Sequence, residues 1–430
     1  MIFLVLKRTF CQMLLAVCLC AIGFAPSAQA QKILIPMDLS QPDHLKAYGV
    51  AFWTLERAIS IEWLLNYRGG SFMLAHNAVV ERELRVRGVG YSIISAGQAA
   101  QITAEIEQSN SDIVLLEKAP AVAVYTPPNK QPWDDAVTMA LVYAEISYET
   151  LWDHDVIAGK LDQYDWLHLH HEDFTGQYGK FYASQNNQRW YIEQQMEYER
   201  TAKQLGFAKV SEEKKAIARA IRNYVQNGGF VFAMCSATDS FDIALAAGKT
   251  DIAHQFFDGD PIDPDAQERL DFSQTLAFEN FSLERNPLIY EYSNIDIPNS
   301  ARPITVPKEQ DYFTLFEFSA KYDPVPTMLT QNHVSVVRGF MGQTTGFNRR
   351  VLKKSVILLG ETEGTDRVKY IHGNLGKGTF TFFGGHDPED YTHRVGDPPT
   401  QLSLHKNSPG YRLILNNILF PAAKKKERKT

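Results

Sequence analysis

The stretch NGGFVFAMCSATDSF, residues 227–241, decides how this chain is read. The glycine pair closes an amphipathic helix that carries Ile217, Ala220, Ile221, Tyr224 and Val225 on one face. FVFAMC (230–235) then has the length and apolarity of a buried strand, and 237–247 returns to helical spacing. Strand, sharp turn and helix in immediate succession place Cys235 at a strand's carboxyl end and a helix's N-terminus. Free backbone N–H groups and the helix dipole favour a thiolate there. A turn this tight needs small residues on either side, and Ala233 and Ala237 supply them. The Ser236 N–H is then placed to hold an oxyanion.

The same alternation extends in both directions. Upstream, 121–126 (AVAVYT) reads as a strand stopped by Pro127 and Pro128. It is followed by a helix over 134–144, a strand over 148–153, a short helix over 156–163, a strand over 165–170 and a polar helix over 188–205. Downstream, 251–307 is rich in Asp, Pro and Asn and predicts long loops. Strands over 355–359 and 368–371, a turn at NLGKG (374–378), a return strand over 379–383 and a helix over 411–419 close the chain. Strands alternating with helices predict a parallel sheet covered on both faces. A smaller α/β region precedes it, with strands over 32–37, 62–67, 90–95 and 112–117 and helices over 43–58, 79–87 and 99–107. The expected organisation is a leader over 1–30, an N-terminal region over 31–118, a larger α/β domain over 119–421 and a basic tail over 422–430.

The leader has the pattern of a cleaved export signal: Lys7 and Arg8, an apolar run over 13–24, then Ala28-Gln29-Ala30. The apolar run is short for a membrane span, which needs about 20 residues. Export to the periplasm or the medium is therefore expected, with no span left after cleavage. A net charge of −7 points away from nucleic acid as a partner. Of four cysteines, Cys11, Cys18 and Cys20 leave with the leader, so Cys235 stays as a lone thiol.

In an open parallel sheet, ligands bind outside the carboxyl ends of the strands. Those ends deliver Asp153, then His168, His170, His171, Glu172 and Asp173, then Cys235, Ser236 and Asp239, then His386, Asp387 and Glu389. A cysteine nucleophile needs a base, and the base needs an orienting carboxylate. Cys235, His386 and either Asp387 or Glu389 fit those roles. Asp153, His168, His170, His171, Glu172, Asp173, Ser236 and Asp239 then form the lip of the pocket. A second reading uses the same rim for a divalent metal, since alternate strand residues share a face and His168, His170 and His386 could converge on one ion. In the first reading no cofactor is needed.

Two segments resemble the class I glutamine amidotransferase-like superfamily, and within it the ThuA-like group: residues 227–241, and GKGTFTFFGGHDPEDY at 376–391. The resemblance implies a flavodoxin-like parallel sheet over 119–421. The ThuA-like pattern has histidine where this chain has Cys235. True amidotransferases have cysteine there, with glycines around it and a His-Pro-Glu pair, where this chain reads His386-Asp387-Pro388-Glu389. The chain also resembles, nearly end to end, exported bacterial proteins labelled asparagine synthetase B, through LNYRGGSF (65–72), QPWDDAVTMAL (131–141), WLHLHHEDFTGQYGKF (166–181) and HRVGDPPT (393–400). Asparagine synthesis does not fit the residues. Ile2 stands where the glutaminase cysteine is needed, and no glycine-bearing SGGxDS loop is present to approach a pyrophosphate.

The expected function is that of an exported hydrolase or lyase acting on a small amide- or sugar-type molecule at a Cys/His rim, or at a metal on the same rim. The alternative is a non-catalytic envelope protein that binds carbohydrate or peptide, using rim aromatics such as Trp152, Trp166, Tyr178 and Tyr182.

Overall fold

The computed structural model describes residues 31–129, 131–296, 309–392 and 394–423; the expected leader and most of the basic tail lie outside them. Alternating apolar residues build the first sheet from β1 (Lys32–Ile35), β2 (Ile61–Leu65), β3 (Ser71–Ala75), β4 (Ser92–Ile94) and β5 (Asp112–Leu116), in the order β4-β1-β3-β2-β5. Its pairings are antiparallel. β3 was not anticipated: Gly69 and Gly70, at φ 75° and 86°, do not end the segment but fold it back, so that Phe72 pairs with Trp63. Helices α1 (His44–Leu55), α2 (Ala78–Val86) and α3 (Ala96–Gln108) complete the region.

The second sheet contains β6 (Val122–Tyr125), β7 (Glu149–Leu151), β8 (Trp166–Leu169), β9 (Phe230–Met234), β10 (Tyr312–Leu315), β11 (Val336–Arg338), β12 (Phe347–Asn348), β13 (Ile357–Glu361), β14 (Arg367–Leu375) and β15 (Gly378–Phe383). β7-β6-β8-β9-β15 run parallel in that spatial order. β14, β13, β10 and β11 extend the sheet antiparallel, and β12 pairs with β14. The sheet is thus mixed and not wholly parallel. The physical reason is the turn at 374–378, where Gly376 at φ 60° reverses the chain and pairs β15 with β14 before β15 joins β9.

The intervening helices are α4 (Ala136–Ala144), α5 (Asp153–Ile157), α6 (Tyr182–Gln185), α7 (Arg189–Gln204), α8 (Val210–Asn227), α9 (Ser236–Ala246), α10 (Gln255–Asp258), α11 (Pro324–Thr330) and α12 (Pro409–Leu419). One hydrophobic core runs through both sheets, joining Trp63 and Phe72 to Trp166 and Phe232 by way of Tyr48, Ala140, Leu413 and Ile414 on α1, α4 and α12. A second core lies on the other face of the main sheet, where Leu167, Leu169 and Val231 meet Ile217, Ile221 and Phe241.

Arg412 of α12 is fully buried in the first core. It donates to the carbonyl oxygens of Met37 (2.7 Å) and Gly69 and to the Tyr48 hydroxyl (3.2 Å). Burial and this charge push His44 down to about 4 and His333 to about 3, and the two rings stack 4.5 Å apart. α1 meets α4 at Gly49, where a Cβ would fall 1.8 Å from the Ala144 carbonyl oxygen. Gly49→Ala must therefore push the two helices apart. It is expected to destabilise the protein by about 1–3 kcal/mol, read as a lower midpoint in urea with an unchanged slope.

Candidate functional site

β6 is the point where the parallel sheet changes direction: the chain passes from β6 to β7 on one side, then crosses to β8 on the other. A crevice opens outside the carboxyl ends of strands that diverge in this way. Pairing of Tyr125 with Leu169, and of Leu169 with Ala233, brings those ends level. A cleft of about 240 Å³ lies there, with Trp133, Asp135, Thr138, Tyr148 and His170 among its lining residues.

Four imidazoles gather behind it. His168, inside β8, is fully buried; its Nδ1 lies 3.1 Å from the Phe232 carbonyl oxygen and its Nε2 3.3 Å from Asp135 Oδ1. His170 Nε2 is 3.8 Å from the same carboxylate oxygen. Ring centroids are 3.7 Å apart for His170 and His171, 4.1 Å for His171 and His386, and 5.2 Å for His170 and His386. One donor atom from each of His170, His171 and His386 lies within 4.8 Å of the others. The trio that could hold a metal therefore contains His171 in place of the expected His168, whose two nitrogens are turned to Phe232 and Asp135.

The carboxylate beside His386 is Asp134, with Oδ1 3.5 Å from Nε2. The two expected orienters are engaged elsewhere: Glu389 pairs with His405 at 3.0 Å, and Asp387 accepts the Glu389 backbone N–H at 2.8 Å. Burial pushes the Asp134 and Asp135 carboxyls up, but their histidine neighbours outweigh it and hold both below the ordinary range. Asp135 also caps α4, accepting the backbone N–H groups of Val137 (2.8 Å) and Thr138 (3.3 Å). Neither aspartate was picked out from the sequence. The signal was present: a carboxylate pair at a helix start, just past the end of the apolar run 121–126.

Cys235 does occupy a strand-to-helix elbow, at φ 54° and ψ −139°. Its thiol, however, is not on an open rim. It is fully buried beneath the loop that follows β11, with Sγ accepting the Gln343 N–H at 3.1 Å. A Cβ on Gly342 would sit 3.0 Å from Sγ and 2.9 Å from the His386 backbone nitrogen, so this loop is wedged between the elbow and the histidine. Burial pushes the thiol up to about 11, against the backbone N–H groups of Thr344, Gln343 and Ser236.

Most of the expected lip turns inward. Asp153 is buried against Lys214 (2.8 Å) and accepts the Tyr125 hydroxyl. Glu172 accepts the Tyr198 hydroxyl at 2.8 Å. Asp173 organises its own loop through the N–H groups of Thr175, Gln177 and Gly179. Ser236 donates to the His171 carbonyl oxygen at 3.1 Å, and Asp239 accepts the Thr344 hydroxyl at 2.8 Å. Of the expected rim aromatics, Trp152, Trp166 and Tyr178 are core residues. The aromatic at the cleft is Trp133, edge-on to His171 at 5.3 Å and stacked on Phe181 at 5.4 Å.

No family model and no curated protein matches the chain. Solved structures resemble it weakly. The cytoplasmic protein STM3548 from Salmonella typhimurium is 12% identical with a TM-score of 0.34, covering 71% of this chain and 100% of that one. The cytoplasmic protein STM1381 from Salmonella typhimurium LT2 is 11% identical with a TM-score of 0.33, covering 71% and 99%. Gan42B, a GH42 β-galactosidase, is 9% identical with a TM-score of 0.25, covering 63% and 28%.

Two outcomes follow from this geometry. At pH 8 the native thiol should resist iodoacetamide and react only as fast as the protein opens; immediate alkylation of the folded chain would contradict the buried elbow. The second concerns Glu213, buried beside Lys214, Asp153 and Tyr125. Burial pushes its carboxyl up from 4.5 to about 8, against the attraction of Lys214. The fold therefore favours the protonated acid, and stability present below pH 4.5 is lost as pH rises through about 8. Glu213→Gln should remove that loss, raising Tm at pH 9 by roughly 2–4 °C and leaving it near wild type at pH 4.5.

Proposed function

We propose that this protein is an exported hydrolase or lyase acting on a small, uncharged amide- or sugar-type molecule at the crevice between β6 and β8. The observation that carries the reading is the buried His386–Asp134 pair, 3.5 Å apart, packed beside His171 and His170, the last of which lines the strand-end crevice. An imidazole held by a carboxylate can take a proton from water or substrate, and the carboxylate balances the charge that forms. Trp133 offers an apolar wall to the substrate, and Thr138 and Tyr148 offer hydroxyls. The parallel strand order, numbered within the second sheet, is 2-1-3-4-5. That is the flavodoxin-like order, and it supports kinship with class I amidotransferase-like folds. The segment at 1–30 supports export. In this reading Cys235 is a packing residue of the elbow and not the nucleophile.

A panel of chromogenic glycosides, small amides and glutamine tests the proposal. His386→Ala should lower kcat/KM by about 10²–10⁴-fold, Asp134→Asn should lower it by a smaller factor, and Cys235→Ala should keep most of the activity. Wild-type turnover by His386→Ala would refute the reading. Loss of turnover in Cys235→Ala alone would restore the thiol as nucleophile. Saturable binding without turnover anywhere in the panel would point to the non-catalytic binding protein.

A further inference from the structure

We infer that His170, His171 and His386 form a mononuclear site for a divalent transition-metal ion of the zinc class, with Asp134, Asp135 and His168 as its outer shell. Three observations carry this. The first is the convergence of donors: the candidate atoms already lie within 4.8 Å of one another. In a tetrahedral site with metal–nitrogen bonds of about 2.0–2.1 Å, ligand nitrogens are about 3.4 Å apart.

The second is charge. Asp134 and Asp135 are partly buried side by side, and among the described residues their ion-pair partners are histidines, never lysine or arginine. The carboxylate pair sets negative charge directly beside the imidazole donors, which a dication would balance.

The third is the outer shell. Asp134 lies 3.5 Å from His386 Nε2 and Asp135 lies 3.8 Å from His170 Nε2, so each carboxylate stands beside a candidate ligand, where outer-shell groups of metal sites stand. Asp135 is itself held by the first turn of α4, so the orientation is anchored in the fold.

All-nitrogen ligation selects zinc-class ions over calcium or magnesium, which take oxygen ligands. Three protein ligands leave a fourth position for water, and of the three His170 lines the cleft. Among the described residues, the other cluster of suitable spacing, Asp251, Asp258 and Asp260, is occupied by the Lys209 ammonium at 2.7, 3.4 and 2.5 Å. For turnover, the inference rests on the hydrolytic reading above and changes one role in it: a ligated His386 no longer takes the proton, and the ion would instead supply a water acidified by coordination. Metal binding itself is measured without a substrate.

The test uses the full chain, purified without nickel or chelator. Elemental analysis should find close to one equivalent of a zinc-class metal. After chelation, cobalt(II) titration should give visible absorption that saturates at one equivalent. His171→Ala and His386→Ala should weaken cobalt binding by 100-fold or more, and His168→Gln by about 10–100-fold, as an outer-shell change does. Cys235→Ala should leave affinity and spectrum unchanged. Circular dichroism checks each fold, and His171→Gln replaces His171→Ala if the alanine variant does not fold. The inference is overturned if the folded, metal-free chain takes up no cobalt or zinc at micromolar concentration, or if both folded His171 variants bind as wild type does. Metal uptake with a silent substrate panel would keep the site and remove the hydrolytic reading. Turnover that depends on His386 in a metal-free chain would do the reverse.

Discussion

The candidate site depends on the register of four parallel strands. Trp166 pairs with Val122 on one side and Phe230 on the other, and Phe230 pairs in turn with Thr379. This alignment makes β6, β8, β9 and β15 end at one level. Residues far apart in sequence, Asp134, His170, Cys235 and His386, therefore leave the sheet along one edge. A slip of one residue in β8 would turn His168 into the second core and bring Leu167 and Leu169 to the face His168 now occupies, because strand side chains alternate.

The loop between β6 and α4 completes the site with unusual economy. Trp133, Asp134 and Asp135 are consecutive, and each meets a different part of the imidazole group: Trp133 meets His171, Asp134 meets His386, and Asp135 meets His168 and His170. Four contacts thus depend on the placement of one short segment, which the cap at Asp135 fixes to α4.

The parallel strands were legible because each is a short apolar run between turn signals, and the elbow at Cys235 was legible because strand and helix abut there. The antiparallel character of the first sheet was not, since periodicity reports which face of a strand is buried and says nothing about its partner. β3 was hidden by Gly69 and Gly70, which signal a turn equally well whether or not a strand follows. The candidate site was legible at His170, His171 and His386. Its carboxylates were not, because Asp387 and Glu389 are adjacent to His386 in sequence, whereas Asp134 approaches it across the crevice from another strand's loop. Asp153 and Glu172 misled for the opposite reason: they stand at strand ends, but they face Lys214 and Tyr198 on the far side of the sheet.

Arg412 has a consequence for the order in which the chain can fold. Its guanidinium joins the carbonyl oxygens of Met37 and Gly69, and beyond α12 Ala423 bridges to Leu116 at the edge of the first sheet. The first sheet is thus finished by residues that lie beyond the whole of the second sheet in the sequence. Until residues past 412 are in place, one of its apolar faces lacks the cover of α12. The first sheet is therefore not completed on its own, as a separable domain would be, but together with α12.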